Sequence, residues 1–207
     1  YLKRLIVGGF EKVYEIGRIF RNEGVDQDHN PEFTLLESYE AYVDYIHIMS
    51  LVEEMVYSLA MDVFETPQLR YGEHTLDLSL PWRRIPFCDA VHEYSGIDLE
   101  PYLKEEKSIE NLLSEAREKG IVLADGPVHR IYDKLLSIAV EPHLIQPTFI
   151  VDYPLVMSPL AKQKPGNPVL VERFEAFVAG MELANSNTEL NDPVEQRIRF
   201  LDQEEVR

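Results

Sequence analysis

Between positions 20 and 42 the chain gathers side chains that could hold a small charged ligand. Phe20-Arg21-Asn22-Glu23-Gly24 is followed by His29-Asn30-Pro31-Glu32-Phe33-Thr34-Leu35-Leu36-Glu37-Ser38-Tyr39. A guanidinium, a turn, an imidazole, an aromatic ring and carboxylates therefore stand close together in the chain. A guanidinium fork can bridge two anionic oxygens at once. Taken singly, these residues leave plainer readings open. Arg21 could serve a surface salt bridge, His29 could sit on a loop surface, and Phe33 could be core. Asn30 before Pro31 could simply be a turn residue, and Glu37 could pair with a lysine or arginine of the protein.

Two strands must position these groups. Residues 12–21 carry the β-formers Val13, Tyr14, Ile16, Ile19 and Phe20, which predicts a strand. Residues 33–42 predict the next. The two-residue period places Phe33, Leu35, Glu37, Tyr39 and Ala41 on one face. A core face would be wholly apolar, and a solvated face would lack Phe and Leu. A mixed face of this kind suits a ligand pocket.

The rest of the chain supplies a body for the hairpin. Its 207 residues, 45% hydrophobic, can bury a sizeable core in one domain, or in one domain with an insertion. Residues 44–63 predict an amphipathic helix, with Ile48, Val52, Met55, Val56, Leu59 and Val63 inward and Glu53 and Glu54 outward. Met49 and Met55 are expected in the core. A short hairpin is predicted over 71–79. Helices follow over 108–119, opened by Ser108 and closed by Gly120, and over 128–140, with Ile131, Leu135, Ile138 and Ala139 inward. Residues 148–151 predict a short strand and 162–168 a loop around Pro165, Gly166 and Pro168. Residues 173–183 predict one strand, kinked at Gly180. Strands in hairpins mixed with clustered helices imply an α+β fold built on an antiparallel sheet.

Charge and cysteine usage narrow the function. A net charge of −17 argues against a broad nucleic-acid surface on this stretch. The single cysteine, Cys88, has no internal disulfide partner and is expected to be a buried or partly buried small residue. There is no apolar run long enough to span a membrane and no signal-peptide pattern, so a soluble, cytoplasmic protein without membrane partners is expected.

The block at 20–39 resembles motif 2 of the class II aminoacyl-tRNA synthetases, specifically the lysyl-tRNA synthetases. Further blocks follow in the family's order: Tyr1-Leu2-Lys3-Arg4-Leu5, Val7-Gly8-Gly9-Phe10-Glu11, Pro142 to Ile150, Ser158-Pro159-Leu160-Ala161-Lys162, Arg173-Phe174-Glu175 and Thr188-Glu189-Leu190-Asn191-Asp192. The resemblance covers nearly the whole chain. It implies a class II-like antiparallel sheet flanked by helices, with a mostly helical insertion at about 84–142. It also implies a ligase that activates lysine with ATP and passes it to tRNA(Lys), with Mg²⁺ as cofactor and a homodimeric parent.

The resemblance assigns roles residue by residue. Arg21 matches the arginine that bridges the substrate carboxylate and the α-phosphate. Glu23 matches the acceptor for the adenine amino group, His29 a contact to the terminal phosphates and Phe33 the adenine stacking platform; Asn30 belongs to the same ATP-binding set. Glu175 and Glu182 match the Mg²⁺ and ATP ligands, although seven residues of regular strand would put them on opposite faces unless a kink or bulge intervenes. Glu37, Tyr39, Asn185 and Glu189 match the lysine pocket. A buried ammonium needs charge compensation, and unpaired carboxylates would reject neutral amino acids.

Both ends read as cuts in a longer protein. The first helix lacks a capping residue, and a helix opened by Asp192-Pro193 runs to Arg207 without a stop signal. Motif 1 and the anticodon-binding barrel would lie upstream and motif 3 downstream, so the chain alone is expected to be a weak or inactive catalyst. Asn187 stands where the family usually has an aromatic, and Ala184 where bacterial members often have Gly. Ala184 before Asn185 also resembles paralogues that attach a lysine-type group to elongation factor P. A synthetase-like binding module without catalysis is the other alternative.

Overall fold

The computed structural model describes residues 1–22, 24 and 30–205, with side chains through Leu201. Glu23 and His29 lie outside the described residues. The chain divides into two compact units, Tyr1–Val43 and Asp44–Arg207.

In the first unit, α1 (Leu2–Val7) ends at Gly8-Gly9, where Gly9 adopts φ 99°. β1 (Lys12–Phe20) and β2 (Glu32–Glu40) then pair antiparallel along their full length, from Lys12↔Glu40 to Phe20↔Glu32. The register confirms the two-residue alternation. Phe33, Leu35, Glu37 and Tyr39 share a face with Ile19, Gly17, Glu15 and Val13. The opposite face exposes Tyr14, Ile16, Phe20 and Leu36. None of the described residues of this unit is fully buried.

The second unit holds the cores. α2 (Tyr45–Phe64) starts at Asp44, whose carboxylate accepts from the N–H groups of Ile46 and His47, an N-cap worth about 1 kcal/mol. The hairpin β3 (Gln68–Tyr71) and β4 (His74–Asp77) turns at Gly72. β5 (Arg83–Pro86) leads into α3 (Phe87–Ser95), α4 (Glu100–Leu103), α5 (Ile109–Glu118) and α6 (Val128–Ala139). Ser108 caps α5, as its sequence predicts. After these helices come β6 (Thr148–Pro154), β7 (Gln163–Lys164), β8 (Asn167–Val178), β9 (Met181–Asn187) and α7 (Pro193–Glu205). Asp192 accepts from the N–H groups of Val194 and Glu195 at the start of α7.

The main sheet runs β5-β6-β8-β7, with β9 also on β8. Its β8 pairings are antiparallel, but β5 and β6 are parallel. Parallel neighbours need a long crossover, and α3–α6 supply it. One sheet face packs Phe149, Val151, Phe174 and Ala176 with Tyr45, Met49 and Val52 of α2. The other packs Ile150, Tyr153, Val171 and Phe177 with Phe87, Tyr132 and Leu135 from the crossover helices. With both faces covered, every residue of β6 is buried.

Several expectations change. The buried side of α2 is Tyr45, Met49, Val52, Glu53 and Ala60, while Met55, Leu59 and Val63 are exposed. The helix is apolar over most of its circumference, so periodicity alone could not choose the inward stripe. Glu53 is buried because its carboxylate accepts from the Trp82 backbone N–H at 2.9 Å and from Arg84 at 2.9 Å. In α6, Leu136 and Tyr132 are buried and Ile138 is exposed. Residues 163–168 form a tight β7–β8 turn, with Lys164 paired to Asn167. Residues 173–183 are two strands: Ala179 and Gly180, at φ 55° and 75°, make a two-residue hairpin turn between Val178 and Met181.

Candidate active site

The candidate residues divide between the two units. On the β1–β2 hairpin, Arg21 follows the last β1 residue, and its backbone N–H donates to Pro31 O at 3.0 Å. The Arg21 guanidinium lies 5.3 Å from the centre of the Phe33 ring, within cation–π range. Asn30 accepts weakly from the Glu32 N–H at 3.4 Å, consistent with a turn. On the mixed face, the Tyr39 hydroxyl donates to Glu37 Oε1 at 2.8 Å. The Lys3 ammonium lies 5.5 Å from the Tyr39 ring centre. The hairpin thus carries Arg21, Asn30 and Phe33 near its Phe20–Glu32 end and Glu37 with Tyr39 farther along. Glu15, which sequence reasoning passed over, lies directly across from Glu37. Its signal was the same alternation applied to β1, and two like charges opposed on a ribbon are unfavourable unless something lies between them.

In the second unit, Glu175 is the centre of a polar network inside the sheet. It is 8% exposed. The Tyr153 hydroxyl donates to Oε2 at 2.7 Å, while Arg173 Nη2 and Asn185 Nδ2 both donate to Oε1, the latter at 3.1 Å. Burial pushes the Glu175 carboxyl above the usual carboxylate range; Arg173 pulls it back and Glu182 raises it further. Burial, followed by the Glu175 charge, pushes the Tyr153 hydroxyl well above the ordinary tyrosine range.

Two irregularities aim this network. At Asp152, φ is 60° and the β6–β8 register shifts between Val151 and Tyr153. Val151 packs with α2, yet Tyr153 packs on the crossover side, so the irregularity turns Tyr153 toward Glu175. In β9, Ala184 pairs with Ala176 but Glu182 pairs with Phe177, leaving Leu183 as the extra residue of a bulge. The two-residue turn pairs Val178 with Met181 and so sets Glu182 opposite Phe177 without any bulge. The turn thus places Glu182 on the side of Glu175, which resolves the spacing problem of seven residues, and the bulge at Leu183 then sets Asn185, rather than Ala184, opposite Glu175. Asn185 pairs directly with Glu175. Glu189 forms an isolated bridge with Ala161, and Thr188 O accepts from Lys162 N–H at 2.8 Å.

No group of three or more His, Cys, Asp or Glu side chains suited to hold a metal occurs among the described residues. The pair Glu175 and Glu182 nevertheless fits Mg²⁺ chemically. That ion binds through one or two carboxylates with substrate phosphates and waters completing its shell. A surface cavity of about 540 Å³, lined by Tyr102, Lys107, Tyr132, Leu155 and Pro168 among others, contains none of the candidate residues. No helix among the described residues is long and apolar enough to cross a membrane.

The family described as tRNA synthetases class II (D, K and N) matches residues 1–206, and the chain belongs to it. Among individual relatives, it is 51% identical over 207 residues to a lysine–tRNA ligase of Dehalococcoides mccartyi, covering 100% of this chain and 41% of that protein. It is 50% identical over 204 residues to a lysine–tRNA ligase of Roseiflexus castenholzii, covering 98% of this chain and 41% of that protein. A lysine–tRNA ligase of Thermoanaerobacter pseudethanolicus is 50% identical over 209 aligned residues, covering 98% of this chain and 40% of that protein. The chain thus spans about two fifths of the length of these relatives.

Proposed function

We propose that this chain is the catalytic-domain segment of a cytoplasmic, homodimeric lysine–tRNA ligase that activates lysine with ATP and transfers it to tRNA(Lys). The observation that carries the reading is identity of about one half to lysine–tRNA ligases across the whole chain, together with Glu37 and Tyr39 joined on the mixed face. In the first step a lysine carboxylate oxygen bonds to the α-phosphorus, the bond from that phosphorus to the bridging oxygen breaks, and pyrophosphate leaves. The protein supplies no covalent nucleophile for this; it holds two anions together and stabilises charge.

Arg21 bridges the lysine carboxylate and the α-phosphate. Glu23 accepts from the adenine amino group, His29 meets the terminal phosphates, Phe33 stacks on the base, and Asn30 completes the ATP-binding set. Stacking of this kind contributes roughly 1–3 kcal/mol. Glu37, Tyr39, Asn185 and Glu189 bind lysine, the carboxylates compensating its ammonium. Glu175 and Glu182 would hold Mg²⁺, which when bound supplies positive charge against the phosphate oxygens of ATP.

The test is amino-acid-dependent ATP–pyrophosphate exchange by the full-length parent protein with lysine, β-lysine and a neutral amino acid. Exchange driven by lysine, followed by charging of tRNA(Lys), is expected. Preference for β-lysine, or no exchange from a folded parent protein, would overturn the reading.

A further inference from the structure

Arg173 stands outside the set of ligand-binding residues, yet it touches two of them. It lies in the bulged Glu172–Arg173 stretch of β8, and its guanidinium packs 4.6 Å from the centre of the Tyr153 ring. Four of its five N–H groups are engaged: Nε with Asn185 Oδ1 at 3.2 Å, Nη1 with Ser158 Oγ at 2.7 Å and Met157 O at 3.2 Å, and Nη2 with Glu175 Oε1. A guanidinium stacked on a ring and tied to the backbone of another segment has little freedom left.

The consequence falls on Asn185. A carboxamide can flip end for end, presenting either its oxygen or its NH₂ to a given neighbour. Here one neighbour, Arg173 Nε, can only donate, and the other, the Glu175 carboxylate, accepts through Oε1 at 3.1 Å. Only one orientation satisfies both. Asn185 is solvent-exposed, so one N–H and one oxygen lone pair remain for a ligand in fixed directions.

Resting on the functional reading above, we infer that Arg173 is the positioning residue of the lysine site. It locks the carboxamide of Asn185 in one orientation and ties it to the Met157–Ser158 segment. Arg173 itself touches no substrate. A lysine in its place would keep a charge beside Glu175 but would lack the fork that reaches Asn185 and Ser158 together.

The experiment uses lysine-dependent ATP–pyrophosphate exchange by the full-length parent protein. Without exchange by the wild type, the functional reading fails and this inference fails with it. Given an active wild type, Arg173→Lys should raise the KM for lysine about tenfold, the loss expected for one charge-assisted hydrogen bond, while the KM for ATP stays within about threefold. In an Asn185→Ala background the same substitution should change the lysine KM less than about twofold, because the two residues act as one unit. An unchanged lysine KM in Arg173→Lys, or effects that simply multiply in the double variant, would overturn the inference while leaving the functional reading standing. Should Arg173→Lys fail to fold, Ser158→Ala removes one anchor without altering charge. It should raise the lysine KM about threefold, by partial loss of one hydrogen bond, and no change in it would also overturn the inference.

Discussion

The two units hold their candidate residues by different means. On the β1–β2 hairpin the key contacts stay within the ribbon: Tyr39 reaches Glu37 two residues away, and the Arg21 guanidinium lies over the Phe33 ring. No described residue of that unit is fully buried. In the β8–β9 region, Glu175 is buried and held by Tyr153, Arg173 and Asn185 from three sequence positions on three strands. The first arrangement places chemistry on a ribbon that contributes little to the core. The second builds chemistry into the core itself. Substitutions on the hairpin should therefore separate activity from stability, whereas those in the sheet should mix the two.

The sharpest way to test that contrast is Arg21→Ala in the full-length parent protein. Adenylate formation should fall on the order of a thousandfold, the loss typical of removing a group that stabilises developing charge. Because Arg21 is exposed, unfolding free energy should move by no more than about 0.5 kcal/mol. Retained exchange activity would remove Arg21 from the chemistry, and a large stability loss would break the contrast between the units. Glu37→Gln should cost about a hundredfold in kcat/KM for lysine, because a neutral amide no longer compensates the ammonium. The KM for ATP should hardly change. Equal losses for both ligands would take Glu37 out of the specificity pocket.

The stability arm of the comparison lies with Glu53. Glu53→Ala strands the buried Trp82 N–H and leaves Arg84 without its carboxylate partner. Chemical denaturation should show a loss of about 2 kcal/mol. A loss near zero would mean that this helix–sheet junction is not held by its polar contacts. The smallest effect is expected at Cys88, whose thiol is pushed up to about 12, chiefly by burial. An ordinary thiol is about half ionised at pH 8.5. Alkylation of the folded chain at that pH should thus be far slower than that of the unfolded chain. Equal rates would contradict the packing of α3 against the other crossover helices.

What was legible in advance follows the same division. Alternation along β2 identified the face shared by Phe33, Leu35, Glu37 and Tyr39, and the register bears it out. Capping chemistry located the starts of α5 and α7, because Ser108 and Asp192 act on N–H groups only two or three residues away; the cap of α2 by Asp44 emerged only from the structure. The inward stripe of α2 was misplaced. Met55 and Leu59 fit a helical stripe as well as Tyr45 and Met49 do, and nothing local says where the sheet lies. The β8–β9 hairpin was read as a single kinked strand because Ala179-Gly180 is a weaker turn signal than Asn-Gly. The side on which Glu182 falls could not be read from spacing, since a turn at Ala179-Gly180 folds it back opposite Phe177, and the extra residue at Leu183 then reverses the parity of Ala184 and Asn185.

The resemblance of the motif blocks placed the chain among the class II synthetases, while short-range rules settled the strands of the hairpin and helix caps such as Ser108 and Asp192. Those features depend on backbone sterics and on hydrogen bonds within a few residues, which the sequence specifies directly. The parallel pairing of β5 with β6, the burial of Glu53, the turn of Tyr153 at Asp152 and the Arg173–Glu175–Asn185 network were decided only in three dimensions. Each depends on partners far apart in the chain, whose meeting is set by how the sheet buries both of its faces.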